Sequence, residues 1–201
     1  YPMTAAALRA EHRLAYLYDG LGRREESLAL RQRIIGRLRD TAPGSHLIQL
    51  NKIRAAATLY GLHRREDAVA LCRELEQSDQ ADIAAESNVL MAGWTFENLQ
   101  LKKSAGEAVS AEEWMQVHAY CRRVFDDRRV SQRWRCRAAL MYVESLGWEN
   151  RSSEAVQAGE SFLREFTDPS LKQDTTTLRL CVGAELEQLG RYEEAIIQFE
   201  T

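Results

Sequence analysis

The stretch that decides the fold is LGRYEEA at residues 189–195, with close copies in LGRREES at residues 21–27 and LHRREDA at residues 62–68. The glycine of the first two copies suits the left-handed backbone that ends a helix. The acidic pair that follows suits the positive end of a new helix. The small residue after that pair, Ala68 or Ala195, lets two helices come close. Each copy therefore predicts a tight turn between two packed helices.

Equivalent turns recur along the whole chain. The turn leucines Leu21, Leu62, Leu99, Leu146 and Leu189 are separated by 41, 37, 47 and 43 residues. Three residues before each leucine stands a large side chain, and six residues before it stands a small one in four of the five cases. Because steps of three and four residues share one helix face, these columns predict five closely packed helical hairpins. The small column consists of Ala15, Ala56, Gly93, Leu140 and Gly183, in which Leu140 is the exception.

These turns resemble the turn and second-helix start of tetratricopeptide repeats (TPR), and the resemblance covers nearly the whole chain. The mean spacing of about 42 residues is longer than the 34 of the standard repeat. It is similar to the long-repeat variants of kinesin light chains and of sensor arrays in bacterial signal-transduction ATPases, and HEAT-like repeats share it. The resemblance implies an all-α, right-handed α-solenoid of about five TPR-like hairpins.

Two capping signals support the helix boundaries. Ser110 and Glu113 form a predicted capping box, and Asp168 precedes a proline that suits the first position of a helix. We expect one array over residues 1–201, with units near residues 3–40, 46–78, 80–127, 131–166 and 169–201. The last unit is incomplete, so we expect the chain to be a fragment of a larger protein. The predicted helices lie near residues 3–20, 23–40, 46–61, 64–78, 80–102, 111–127, 131–146, 153–166, 169–189 and 191–200.

Composition limits the possible functions. Of the 201 residues, 45% are hydrophobic and 28% are charged, which is typical of a globular protein. No segment predicts a membrane span. The net charge of -3 argues against a protein that mainly binds nucleic acid. The four cysteines form no C-x-x-C pair, so we expect reduced, buried thiols and a cytoplasmic protein.

The resemblance to TPR proteins implies that the first helix of each hairpin lines a concave face. The column two residues before each turn leucine is acidic in four units, and the column five residues before it contains aromatic and apolar residues. We expect this face to bind a protein or peptide segment with basic or amphipathic character. Two alternatives remain open. The acidic residues would then be ordinary solvated helix residues, and Trp94 and Met141 would pack in the core. The predicted partner-binding residues are Tyr16, Asp19, Tyr60, Trp94, Glu97, Met141, Glu144 and Glu187.

Two functions are compatible with this face. The first is a protein-interaction scaffold. The alternative is a regulatory array that senses a ligand or partner for a signal-transduction ATPase or a transcription regulator. Exposed apolar residues at the ends of the array also predict possible self-association.

Seven arginines lie between residues 122 and 137. Arginine binds phosphates and carboxylates in bidentate geometry, which predicts a possible patch for an anionic partner. Intramolecular ion pairs are the open alternative, since Asp126 and Asp127 lie within the cluster. The residues of the predicted patch are Arg128, Arg129, Arg133 and Arg137.

Enzyme signatures are absent from the sequence. We find no phosphate-binding glycine loop, dinucleotide fingerprint, H-E-x-x-H motif or nucleophile elbow. His118 and Cys121 share one helix face, but a metal site needs three or four placed ligands. We therefore expect no catalytic residue, no metal and no cofactor.

Overall fold

The computed structural model describes residues 4–42 and 44–200. Within these ranges the protein is all-α, as predicted, with ten α-helices, one short 3-10 turn at Pro169–Leu171 and no strand. The helix limits agree with the predicted ones to within a few residues. The helices are α1 Ala5–Gly20, α2 Arg24–Leu38, α3 His46–Gly61, α4 Arg65–Leu75, α5 Ala81–Ser104, α6 Ala111–Phe125, α7 Gln132–Trp148, α8 Ser152–Glu165, α9 Lys172–Gln188 and α10 Tyr192–Glu200.

The chain divides into two compact units, and the boundary falls inside α5. In unit 1, Tyr1–Ser87, α1 packs on α2, α2 on α3, and α3 on α4. In unit 2, Asn88–Thr201, α6 packs on α7, α7 on α8, α8 on α9, and α9 on α10, while α7 also contacts α9. Each of these helices thus packs on its neighbour in sequence, as stacked hairpins do. A single array over all five units stays a prediction.

Left-handed residues end the first helix of every hairpin. Gly22, Gly106 and Gly190 have φ of 73°, 80° and 71°, while His63 and Asn150 take the same conformation at 61° and 65°. In each turn the next residue donates its backbone N–H to the carbonyl five residues back, over 2.8 to 3.0 Å. This Schellman geometry satisfies carbonyls that a helix end would leave unpaired. The turn role predicted for glycine is confirmed at Gly22 and Gly190.

The fourth turn was predicted at Leu146-Gly147, and this position is wrong by three residues. Helix α7 continues through Gly147 to Trp148, and Asn150 is the left-handed residue. Asn150 can replace glycine because asparagine tolerates this backbone conformation. Gly147 instead faces α9, where the carboxylate of Glu185 occupies the space that a Cβ would take.

An arginine at the start of the second helix forms the same ion pair in four hairpins. Each arginine contacts an acidic residue three positions later, at 2.5 to 2.8 Å. In the first, second and fourth hairpins this arginine is the N-cap residue, and its side chain forms no capping hydrogen bond. Because these pairs are solvent-exposed, each contributes little to the stability of the fold. The pairs are Arg23–Glu26, Arg64–Asp67, Arg151–Glu154 and Arg191–Glu194.

Small residues occur where helices approach most closely. Ala15 and Ala56 are fully buried, and a Cβ at Gly183 would overlap the Phe199 ring. Gly159 on α8 belongs to no predicted column, yet a Cβ there would overlap Val182. The predicted close helix contacts are therefore present in both units.

The cysteines are free thiols, as predicted. Cys72, Cys121 and Cys136 are buried, and Cys181 is half-buried. Burial raises the pKa of the first three to about 12, so these thiols stay protonated and behave as small apolar side chains.

Both predicted capping signals are present. Ser110 accepts a hydrogen bond from the backbone of Glu113, and Glu113 accepts one from the backbone of Ser110. Asp168 accepts from the Ser170 N–H at 2.8 Å, and the chain then forms the short 3-10 turn before α9 begins. The loop before Ser110 is held by Lys102, which contacts Glu113 at 2.6 Å.

Candidate functional site

The predicted partner-binding residues lie on the first helices of the hairpins, and five of the eight fall in unit 2. Trp94 and Glu97 are on α5, Met141 and Glu144 on α7, and Glu187 on α9. The three glutamates are exposed, whereas Trp94 and Met141 are half-buried. We call these five residues, with Leu180 and Glu185 on α9, the α5–α7–α9 face.

Two glycines of this face lie against side chains of the neighbouring helix. A Cβ at Gly93 on α5 would lie 3.5 Å from the methyl group of Met141, which places Met141 directly over α5. On the other side of α7, Gly147 leaves room for the carboxylate of Glu185. The spacing of side chains repeats on the three helices. Leu90, Trp94 and Glu97 on α5 are matched by Arg137, Met141 and Glu144 on α7 and by Leu180, Ala184 and Glu187 on α9.

The electrostatics of this face centre on α7 and α9. Partial desolvation raises the pKa of Glu144, although its side chain still reaches solvent. Burial, together with the negative charges of Glu144 and Glu185, raises the pKa of the Cys181 thiol to about 11. Two carboxylates therefore lie near one partly buried thiol. This arrangement favours a bound cation over an anion.

Unit 1 contains the other three predicted residues, and there the acidic residue has a different role. Tyr16 on α1 is 67% exposed, and the ring of Tyr60 lies under the Arg65 guanidinium at 5.5 Å. The Asp19 carboxylate accepts from Arg31 at 2.5 Å and from the hydroxyl of Thr58 at 3.2 Å. Asp19 is thus committed to an intramolecular network.

Arg31 is the centre of that network, a role that the repeat pattern of the sequence does not predict. Its side chain is 0% exposed and donates to Asp19, to Ser27 at 3.2 Å and to Asn51 at 3.4 Å. Asn51 in turn contacts His12 at 3.1 Å, so the network joins α1, α2 and α3. Burial lowers the pKa of Arg31, and Asp19 opposes that shift. Only the spacing of Ser27 and Arg31 by four residues hinted at the contact in the sequence.

Most arginines of the predicted anionic-partner patch have intramolecular contacts. Arg128 pairs with Glu165 at 2.6 Å, and Arg129 pairs with Asp127 at 2.7 Å. Arg137 lies 4.0 Å from Asp174, and both Arg133 and Arg137 lie over the Trp134 ring. Arg135 is buried and contacts Glu165 and the Phe125 carbonyl. These pairs compensate much of the positive charge, and an anionic partner at this patch stays a prediction.

His118 packs in the interior of unit 2. Its ring meets Tyr142 edge to face at 5.0 Å, and Nε2 lies 3.7 Å from Glu149 without a hydrogen bond. Cys121, on the same helix, is buried. Within residues 4–42 and 44–200, no group of three or more histidine, cysteine or acidic side chains could hold a metal ion.

The last helix presents apolar side chains to solvent. Ile196, Ile197 and Phe199 on α10 are exposed, as are Leu14 and Leu17 on α1. The exposure predicted for α10 is confirmed, while self-association through these ends stays a prediction. In the described part of the chain, no helix is long and apolar enough to cross a membrane.

Comparison with solved structures identifies the fold. The chain is similar to a protein from Podosopora anserina described as a kinesin light chain with nearly identical TPR-like repeats, with a TM-score of 0.60 at 14% identity over 99% of this chain and 94% of that one. A single-residue variant of that protein gives a TM-score of 0.61 at 16% identity, over 100% of this chain and 94% of the other. No protein-family model and no curated protein matches the sequence. The fold is therefore an all-α solenoid of TPR-like repeats.

Proposed function

We propose that this TPR-like repeat chain is a protein-interaction module without enzymatic activity, and that its α5–α7–α9 face holds a basic, amphipathic segment of a partner protein. The observation that carries the proposal is the repeated pattern of the face. Glu97, Glu144 and Glu187 are exposed at equivalent positions of the three helices, beside the half-buried Trp94 and Met141.

The chemistry of the face suits such a segment. Lysine or arginine side chains of the partner would meet the row of glutamates, which increases the association rate and sets the orientation. Apolar side chains of the partner would cover Trp94, Met141 and Leu180, and burial of that surface supplies affinity. Partial desolvation disfavours the ionised form of the Glu144 carboxylate. A cation of the partner beside it would compensate this cost, because it neutralises the negative charge.

Unit 1 does not extend the acidic row in the same way. Asp19 occupies the equivalent position there, but its carboxylate is bound to Arg31 and Thr58. The proposal therefore assigns charge recognition to unit 2.

The test measures fluorescence anisotropy of a labelled amphipathic peptide built from lysine and leucine, against the same peptide with glutamate in place of lysine. The variant is Glu97→Lys, Glu144→Lys and Glu187→Lys combined. The matched control is Asp40→Lys, Asp79→Lys and Glu107→Lys, three exposed carboxylates between the helices. Both triple variants change the net charge equally, from -3 to +3, because each of the three substitutions adds +2.

We expect the lysine peptide to bind the natural chain and the control at least tenfold more tightly than the face variant, with affinity that falls as salt is raised. Circular dichroism checks that all three proteins are equally helical. Equal affinity for both triple variants would mean that net charge alone attracts the peptide, and the proposed site would be wrong. A preference for the glutamate peptide would also contradict the proposal.

A further inference from the structure

Unit 1 contains a groove of about 670 Å³ between α2 and α4, with α3 as its floor. Helix α4 is shorter than α2. When Arg65 is aligned with Arg24 by the turn motif, α4 ends at Leu75, whereas α2 continues for about one more turn to Leu38. The volume of the groove falls in the range of small-molecule sites.

The groove is apolar at one end and charged at the other. Leu28, Leu59 and Leu71 line the end near the helical turns. All the charged residues of the lining, Arg39 and the Lys52–Glu74 ion pair at 2.5 Å, lie toward the opposite end, together with Ile35 and Ile48. This separation along one groove matches a ligand that has an apolar body and a single polar end.

The sign of the charged end is positive. Lys52 and Glu74 compensate each other, while the exposed Arg39 forms no ion pair with any residue that the structure describes. The charged end of the groove therefore has a net charge of +1, which comes from Arg39. The amino end of α3 begins at His46 on the same side, and the helix dipole there adds to the positive potential. A guanidinium without an ion pair can bind a carboxylate in bidentate fork geometry.

We propose that the α2–α4 groove binds an aliphatic carboxylate, with the hydrocarbon chain along Leu28, Leu59 and Leu71 and the carboxylate on Arg39. From Leu28 to Arg39 the groove follows eleven residues of chain, or about 16 Å at the helical rise, which suits an extended chain such as dodecanoate. The groove lies entirely in unit 1 and shares no residue with the α5–α7–α9 face. It is the kind of small-ligand site that the alternative function, a sensing array, requires.

The test is isothermal titration calorimetry of the 201-residue chain with dodecanoate, and separately with dodecylammonium, both below the concentrations at which they form micelles. Two variants address the groove without touching the core. Arg39→Glu reverses the charge of the polar end, and Gln32→Trp places a large ring at the exposed rim of the groove. Arg9→Glu is the matched control, since Arg9 is an exposed arginine on α1 outside the groove.

We expect saturable binding of one dodecanoate by the natural chain and by Arg9→Glu, and at least tenfold weaker binding of dodecylammonium. Arg39→Glu should lose at least tenfold in dodecanoate affinity, and Gln32→Trp should abolish saturable binding. The proposal is overturned if the two amphiphiles bind equally, if Arg9→Glu loses as much affinity as Arg39→Glu, if Gln32→Trp binds normally, or if no saturable binding is seen. Because none of these readouts uses a peptide, failure here leaves the proposed protein-interaction face unaffected.

Discussion

The buried charge of Arg31 gives the carboxylate of Asp19 a structural role, as its counter-charge. A guanidinium with no solvent exposure needs a counter-charge and hydrogen-bond acceptors, and Asp19, Ser27 and Asn51 supply them. Removal of the carboxylate would leave an uncompensated buried cation. The pair therefore contributes to specificity of packing among α1, α2 and α3.

Asp19→Ala should lower the free energy of unfolding by about 3 kcal/mol, because it leaves Arg31 buried without its counter-charge. Urea unfolding followed by circular dichroism measures the change. In the double variant with Arg31→Met, the loss should be smaller than the sum of the two single losses, since the two side chains are coupled. An unchanged stability of Asp19→Ala would show that Asp19 is free to bind a partner.

His118 predicts a pH dependence of stability. Burial lowers its pKa in the folded protein. The negative charges of Glu149 and Glu154 oppose this shift, while the positive charges of Arg151 and Arg122 add to it. In the unfolded chain the pKa returns to about 6.5. As the pH falls through that value, the unfolded chain binds a proton that the folded protein resists, so the free energy of unfolding falls.

His118→Phe should therefore flatten the decrease in stability between about pH 7 and pH 5 that the natural chain shows. The measurement is urea unfolding at a series of pH values. His63→Asn is the control, since His63 is exposed and asparagine tolerates its left-handed backbone. An identical pH profile for His118→Phe and the natural chain would mean that His118 is not the group responsible.

At the scale of helices, close contacts depend on single glycines whose surroundings differ. Gly159 on α8 faces the buried Val182, while Gly183 on α9 faces the ring end of the partly exposed Phe199. A ring at the surface can rotate away from a new methyl group, whereas a fully buried valine cannot. The contact between α8 and α9 is thus the less tolerant of the two.

Gly159→Ala should destabilise the protein by about 1 to 3 kcal/mol through overpacking, and Gly183→Ala by less. Gly36→Ala is a matched control inside α2, because no atom lies within 4 Å of the added Cβ. There the better helix propensity of alanine should raise stability by about 0.5 to 1 kcal/mol. Thermal unfolding ranks the three variants, and equal losses at residues 159 and 183 would contradict this account of α8 and α9.

At the scale of the whole molecule, the packing is mostly between helices adjacent in sequence. Stability in such repeat folds is close to a sum of local terms and nearest-neighbour contacts. A perturbation in one unit should therefore stay local.

Hydrogen exchange tests this locality. In Asp19→Ala, amide protection should fall in α1, α2 and α3, while α7, α8 and α9 keep the protection they have in the natural chain. Mass spectrometry of peptic fragments gives both values in one experiment. A uniform loss across both units would instead indicate that the molecule opens as a single cooperative body.

From the sequence alone, the helices, three of the five hairpin turns and the small residues at helix contacts could be predicted, because these depend on neighbours three to six residues apart. The third turn lies at Gly106 and not at Leu99, which is inside α5. The turn at Asn150 was misplaced, since Gly147 fits a turn locally but faces Glu185 on another helix. Apart from its spacing of four residues from Ser27, no local pattern indicated the buried role of Arg31.

Tertiary structure alone decided which carboxylates remain available and where a groove opens. Asp19 and Glu144 occupy the same column of the repeat, yet only Asp19 meets a buried arginine and a threonine 39 residues away. The α2–α4 groove is lined by side chains of three helices, which lie as far apart in sequence as Leu28 and Glu74. Burial and charge compensation depend on contacts between side chains that are distant in sequence. A repeat pattern determines the positions at which such side chains can meet, but not which side chains they are.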